Sequence, residues 1–91
     1  MSPASPCPEV QVGVMLRTRQ PPTGVVCKAY SAPPGDGGHY LQSLEKGALI
    51  GPVEEVVWQR GFVSVRIGLG WVNVYKERLG RPGVHFAFVE P

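Results

Sequence analysis

Apolar and polar residues alternate in short runs over residues 28–75, with glycine-containing turns about every ten residues. A period of two predicts β-strands that bury one face. In the segment FVSVRI three aliphatic residues share one face, while Phe62, Ser64 and Arg66 share the other. The next segment, WVNVY, places its two valines opposite a Trp, an Asn and Tyr75. This rhythm of strands and turns predicts a small β-barrel.

The strand pattern extends toward both ends of the chain. Over residues 9–18 valines at even positions and Leu16 alternate with other residues, which predicts a strand. Residues 76–83 are polar and contain two glycines and a proline, which predicts a loop. The predicted strands are residues 9–18, 25–31, 40–44, 48–58 with a break at Gly51 and Pro52, 62–67, 71–75 and 85–90.

Glycine and proline account for 12 and 10 of the 91 residues, so roughly a quarter of the chain favours turns. No uninterrupted segment has the i, i+3, i+4, i+7 apolar spacing of an amphipathic helix, which indicates an all-β fold. The length is that of one domain. We expect a disordered Pro-rich arm, residues 1–8, and a single domain, residues 9–91, with five to seven short antiparallel strands. A PxxP pattern in the arm offers the alternative of a proline-rich ligand.

The charge and the cysteine content indicate what surface and what cellular location to expect. The formal net charge is +2, and Lys76, Arg78 and Arg81 form the one cluster of cations, which we expect to be a solvated surface. Two cysteines are too few for the disulfide framework of a small secreted domain, so an intracellular location is favoured. Cys27 is predicted to be a small buried residue and Cys7 to lie in the arm, with a disulfide between them as the disfavoured alternative.

Neither the N-terminus nor any apolar stretch predicts a membrane partner. No run approaches 18 apolar residues, and the sequence MSPASPCPE lacks a basic region followed by an apolar one. We therefore expect neither a membrane span nor an export signal.

The segments LEKGALI, GFVSVRIG and GWVNVY resemble, in this order, the pattern of SH3-like domains, and in particular of bacterial-type SH3 domains. That family has a turn with a central proline, an exposed aromatic residue, a K-G turn, a hydrophobic strand, a V-x-V-R strand and a closing G-W-V. The resemblance covers about 50 of the 91 residues and implies a small SH3-like barrel. The matching positions are residues 32–35, Tyr40, Lys46 with Gly47, 48–57, 62–66 and 70–72.

Two departures limit what the resemblance implies about ligands. Phe62 stands where the family commonly has Trp. The loop APPGDGGH has one Asp and no aromatic residue, whereas signalling-type SH3 domains grip proline-rich peptides with an acidic loop that contains tyrosine. Recognition of PxxP peptides is therefore not carried over.

Candidate catalytic groups are few and scattered. No pair with the spacing of a catalytic motif occurs among Cys7, Cys27, His39, His85 and the seven carboxylates. Paired Cys or His ligands for a structural metal are missing as well. The sequence predicts a protein that is not an enzyme and has no metal site or cofactor.

Aromatic side chains and the 32–39 loop are the best candidates for a binding surface, because amphipathic rings and irregular loops favour interfaces. The preferred hypothesis is a protein-interaction module or small accessory subunit, either free-standing or part of a larger assembly. It docks a protein or peptide partner through this face and loop, or by adding a strand to a sheet edge. The alternative is a nucleic-acid-binding small β-barrel, in which Tyr40, Trp58 and Tyr75 stack on bases and the dispersed Arg and Lys residues meet phosphates. The candidate partner-binding residues are Tyr30, Asp36, His39, Tyr40, Trp58, Arg60, Trp71 and Tyr75.

Overall fold

The structure of the chain is a computed structural model that describes residues 7–19, 27–33, 35–59 and 61–90. Its regular structure consists of nine short β-strands. These residues contain no helix, and their strand pairings are antiparallel, so the predicted all-β class is confirmed. No helix that could cross a membrane occurs in this part of the chain. The strands are Leu16–Thr18 (β1), Lys28–Tyr30 (β2), Tyr40–Ser43 (β3), Leu49–Ile50 (β4), Glu55–Gln59 (β5), Phe62–Ile67 (β6), Gly70–Arg78 (β7), Arg81–His85 (β8) and Ala87–Val89 (β9).

The strands form two sheets. The smaller has the order β4-β1-β9, and the larger has the order β3-β2-β7-β6-β5, with β8 paired to the second half of β7. Because β6 occupies one edge of β7, β2 and β8 follow one another along its other edge. Neither sheet closes on itself among the described strands.

One hydrophobic core joins the two sheets. Leu16 of the smaller sheet is fully buried, as are Ala29, Val65 and Val72 of the larger one. These last three are paired in succession, so an aliphatic row crosses β2, β7 and β6 at one level. This row defines the inner face of the larger sheet. The opposite face of the same sheet is called the outer face.

The predicted strand over residues 9–18 is wrong for most of its length. Two turns interrupt the segment, and Gly13 has a φ of 96°, a left-handed conformation that glycine adopts without strain. Val10 is buried, but Val12 is 66% exposed, so the even-position alternation does not hold. The Gly13 N–H donates to the Val53 carbonyl at 2.8 Å, which fixes this irregular path against the body of the protein.

The predicted loop over residues 76–83 is also wrong. The chain remains extended on both sides of a two-residue turn, Leu79 and Gly80, so that β7 and β8 form a hairpin. Pro82 is tolerated in β8 because this strand pairs only with β7, and an edge strand leaves N–H positions that need no ladder partner. This hairpin, together with the division of residues 48–58 into β4 and β5, raises the strand number above the predicted five to seven.

Cys7 was expected in a flexible arm but is buried in the core. Its carbonyl accepts the N–H of Val10 at 3.1 Å, and its Sγ lies 3.7 Å from Nδ1 of His85. Residues 1–6 of the predicted arm lie outside the described residues. Cys27 is buried as predicted, and no disulfide joins it to Cys7. A small apolar thiol side chain therefore ties the start of the described chain to the core.

Both thiols are expected to react slowly in the folded protein. Burial raises the pKa of Cys7 and of Cys27 to about 11, and the nearby Glu9 carboxylate contributes at Cys7. Because the thiolate is the reactive form, at pH 8 a disulfide reagent such as DTNB should modify the folded chain far more slowly than the chain unfolded in guanidinium. Equal rates of modification in the folded and unfolded chain would show that the thiols are accessible.

The same pKa shifts make stability depend on pH. Unfolded thiols lose their protons near pH 9, so the free energy of unfolding should decrease as the pH rises from about 9 to about 11.

Candidate binding surface

A row of large side chains crosses the outer face of the larger sheet at one level. Residues paired directly across antiparallel strands point to the same face. The adjacent level holds the buried aliphatic row of the inner face, so the members of this row point outward. The row, called the outer row, consists of Tyr40, Tyr30, Trp71, Arg66 and Glu55, in successive register on β3, β2, β7, β6 and β5.

Two tyrosines form the aromatic end of the outer row. The ring centroids of Tyr30 and Tyr40 are 6.3 Å apart with an interplanar angle of 71°, a favourable edge-to-face arrangement. Lys28 Nζ lies 5.8 Å from the centre of the Tyr40 ring, within the range of a cation–π contact. The Tyr40 and Ser43 hydroxyls are hydrogen-bonded at 2.7 Å. Tyr40 is nevertheless 56% exposed, so its ring is held in place and remains accessible.

The other end of the outer row is polar. Arg66 Nη1 lies 3.5 Å from Glu55 Oε2, and both side chains are about half exposed. The shared face of alternating residues in FVSVRI indicated the direction of Arg66, but nothing in the sequence indicated that Glu55 lies opposite it. The two charges balance, so the outer row has a neutral end and an aromatic end.

A groove of about 300 Å³ opens beside Tyr30. Tyr30 and Asn73 line it from the sheet, and Ala32, Pro33 and three glycines line it from the loop that follows β2. The Asn73 carboxamide oxygen accepts a hydrogen bond from the hydroxyl of Ser64, which is fully buried. This bond orients the Asn73 side chain at the groove.

The loop is closed at its base by two hydrogen bonds. The Ser31 N–H donates to the His39 carbonyl at 2.9 Å, and the His39 N–H donates to Ser31 Oγ at 2.8 Å. Between these residues the Asp36 side chain is exposed. The 32–39 loop thus forms a wall of the groove beside the aromatic end of the outer row.

Strand β3 forms one edge of the larger sheet, and all four of its side chains are exposed. The Leu44 N–H donates to the Cys27 carbonyl at 2.7 Å, on the side of β2. Because successive residues of a strand direct their backbone groups to opposite edges, the N–H and C=O of Ser43 point away from β2. No described strand pairs with β3 on that side. The edge therefore offers backbone hydrogen-bonding groups next to the tyrosine pair.

Gly70 allows β2 and β3 to approach the start of β7. It has a φ of 127°, and an ideal Cβ there would lie 2.6 Å from the Tyr30 carbonyl oxygen and 2.9 Å from Leu41 Cδ1. A bulge in the β2–β3 pairing places Leu41 against it, so this position accommodates only glycine without rearrangement.

Of the predicted partner-binding residues, the structure brings five to one region. Tyr30, Tyr40 and Trp71 belong to the outer row, and Asp36 and His39 lie in the adjoining loop.

Trp58 does not belong to this region. It is 41% exposed, but it lies on β5, at the opposite edge of the sheet from Tyr40. It pairs with Val63, whose side chain is buried, so Trp58 is also on the inner-face side. Arg60 lies outside the described residues.

Tyr75 was expected to share a face with Trp71, and this is wrong. The β6–β7 register skips Val74, so Tyr75 pairs with the buried Val63 and packs against the core. An ideal Cβ on Gly83 would overlap the Tyr75 ring, which shows how closely this ring lies against β8. The bulge turns Tyr75 away from the outer face, and strand alternation alone does not reveal it.

Tyr75 instead belongs to a second aromatic cluster that joins distant parts of the chain. Its ring centroid is 4.8 Å from that of His85, and the His85 ring stacks on Phe88 at 5.4 Å. Arg19 Cζ lies 5.3 Å from the Phe88 centroid. With the Cys7 contact to His85, this cluster connects the residues before β1 to β7, β8 and β9.

No group of three or more His, Cys, Asp or Glu side chains among the described residues is arranged to hold a metal ion. Cys7 and His85 bring a thiol close to an imidazole. However, burial raises the pKa of this thiol, which is the opposite of the activation that a cysteine nucleophile needs. The contact is best explained by packing of the second aromatic cluster.

Comparison with protein-family models, with curated proteins and with solved structures gave no match to this chain.

Proposed function

We propose that this chain is a non-enzymatic, SH3-like interaction module that docks an extended segment of a protein partner on β3. The observation that carries the proposal is the position of this exposed edge, with the outward backbone groups of Ser43, beside the paired rings of Tyr30 and Tyr40. An SH3-like arrangement is supported by the short antiparallel strands around one core and by the Gly70-Trp71 step that begins β7.

Strand addition explains how these features act together. Main-chain hydrogen bonds along an edge supply affinity for an extended segment, and side-chain pockets beside the edge supply specificity. The groove of about 300 Å³ is at the lower end of the roughly 300–1,000 Å³ typical of small-molecule sites, which suits a side chain of the bound segment. The ring of Tyr40, exposed but held by Lys28 and Ser43, is a contact with little conformational entropy left to lose.

Nucleic-acid binding by stacking of bases on Tyr40, Trp58 and Tyr75 has less support. Tyr40 and Trp58 lie at opposite edges of the larger sheet, and Tyr75 packs against His85. These three rings form no common stacking platform.

The proposal is tested by capture of partners with matched variants. The tagged wild-type chain, a Tyr30→Ser/Tyr40→Ser variant and a Trp58→Ser variant are used for affinity purification followed by mass spectrometry. Trp58→Ser is the control because it removes an exposed aromatic side chain from the opposite edge. We expect a protein that is recovered with the wild type and with Trp58→Ser, and that is reduced about tenfold or more with the tyrosine variant, as for interface side chains worth about 1.4 kcal/mol.

Two outcomes would contradict the proposal. One is a partner retained by the tyrosine variant and lost by Trp58→Ser, which would place binding on β5. The other is that no protein is enriched with the wild-type chain over the tyrosine variant. Thermal unfolding of each variant shows whether a loss reflects binding or folding.

A further inference from the structure

The hairpin of β7 and β8 carries cations that the outer row does not use. Arg78 and Arg81 lie directly opposite each other across the turn. Like charges in this position destabilise a strand pair, so folding alone does not favour them. The β7–β8 register shifts between Lys76 and Arg78, but the extra residue lies on β8. Lys76, two residues before Arg78 on β7, therefore shares its face. All three side chains are exposed, and neither of the two ion pairs found among the described residues includes them.

The charge of the chain is concentrated in this hairpin. Residues 76–81 contain three of the nine basic residues and one of the seven acidic residues, so their formal charge of +2 equals that of the whole chain. The acidic residue, Glu77, alternates with Lys76 and Arg78, which directs its side chain to the other face. Its N–H donates to the Gly61 carbonyl at 2.7 Å and anchors the hairpin base. The cationic face thus has no acidic side chain from the hairpin itself.

An aromatic ring lies on the same face as the cations. Phe62 pairs with Lys76 across β6 and β7, so both side chains project from the outer face of the sheet. The Phe62 side chain is half-buried, which fixes the ring and leaves part of it accessible. At the tip of the hairpin Leu79 is fully exposed. These residues, Phe62, Lys76, Arg78, Leu79 and Arg81, are called the hairpin patch.

We propose that the hairpin patch binds single-stranded nucleic acid, at a site separate from the docking edge at β3. A cationic surface that meets phosphates, combined with an aromatic ring on which a base stacks, is the combination by which small β-domains hold single strands. Phe62 lies on a sheet surface, where it stacks only on a base that is not enclosed in a duplex. Leu79 adds an apolar contact at the tip. Single-stranded nucleic acid fits this patch better than a duplex for that reason.

Fluorescence anisotropy with a labelled oligo(dT) of about 12 nucleotides tests the proposal, because such a length spans the site of one small domain. Three phosphate contacts predict a slope of log K against log salt near −2, since each contact contributes roughly −0.7 on a single strand. Arg81→Gln should reduce the slope to about −1.4. Lys46→Gln, which removes one cation from the turn before β4, should leave it unchanged. A duplex of equal length should bind more weakly.

The aromatic contribution is measured separately from the ionic one. Phe62→Leu keeps an apolar side chain and should lower affinity about tenfold without changing the salt slope, because stacking on one ring is worth about 1–3 kcal/mol. Circular dichroism confirms that the variants are folded. The Tyr30→Ser/Tyr40→Ser variant should bind the oligonucleotide like the wild type, since its changes lie outside the hairpin patch.

Several results would overturn the proposal. These are no binding at low salt, the same slope for Arg81→Gln as for wild type, and equal or tighter binding to the duplex. Binding to phosphatidylserine vesicles but not to the oligonucleotide would overturn it in favour of a membrane contact.

Discussion

Replacing Gly70 by alanine is expected to lower the free energy of unfolding by about 3 kcal/mol or more. The added Cβ would lie 2.6 Å from the Tyr30 carbonyl oxygen, a backbone atom that cannot move without disturbing the β2–β7 pairing. In addition, a φ of 127° is accessible to glycine but strained for alanine. For a domain of this size the melting temperature should fall by about 12 °C or more.

Gly68 provides the matched control for this substitution. It lies two residues earlier in the same turn region and is not among the glycines with positive φ. Apart from Gly68 itself and its two chain neighbours, no heavy atom lies within 4 Å of an ideal Cβ there. Thermal and guanidinium unfolding followed by circular dichroism should show a small change for Gly68→Ala and a large one for Gly70→Ala. Similar effects of the two changes would contradict the close approach of β2, β3 and β7.

Replacing Leu16 by alanine is expected to destabilise the protein by about 2–5 kcal/mol, the range for deleting most of a buried leucine. Leu16 has no exposed surface and is paired on both sides, with Ile50 of β4 and Val89 of β9. It therefore holds the smaller sheet to the shared core. Because small domains are stable by only about 5–15 kcal/mol, this loss is a large fraction of the total.

Leu79→Ala makes the same chemical change at the fully exposed tip of the β7–β8 hairpin. It should change stability by no more than about 0.5 kcal/mol. Guanidinium unfolding of both variants measures the difference. If Leu16→Ala were as mild as Leu79→Ala, the two sheets would not share one core.

Strands β6 and β7 could be predicted from the sequence because each has one face that packs on the core and carries aliphatic residues. Val65 and Val72 are paired and fully buried, as their alternation indicated. The break predicted at Gly51 and Pro52 is confirmed, because it separates β4 from β5. In these places a local pattern and the tertiary environment favour the same conformation.

The N-terminal segment and Tyr75 show where alternation misleads. Valine alternation before β1 was compatible with a strand, but Gly13 and its hydrogen bond to Val53 favour an irregular path. At Tyr75 a single bulge reverses the face, and nothing in the local sequence distinguishes WVNVY with a bulge from WVNVY without one.

The candidate site could be predicted only in part, because a local sequence pattern does not contain the order of the strands in a sheet. Alternation indicates which residues share a face of one strand, but strand order is decided by contacts between distant segments. The tyrosines of β2 and β3 come together because these strands are neighbours, whereas Trp58 lies at the far edge of the same sheet. From the sequence, the two tyrosines and Trp58 were therefore equally sound candidates, and only the order of the strands in the sheet separates Trp58 from the tyrosines.

The docking edge is tested most directly by amide hydrogen exchange, measured by NMR for the chain alone and bound to the captured partner. Strand addition on β3 predicts that the Ser43 amide, which points away from β2, becomes protected in the complex, while amides along β5 exchange as before. Protection that appears along β5, with the Ser43 amide unchanged, would contradict the assignment of β3 as the binding edge.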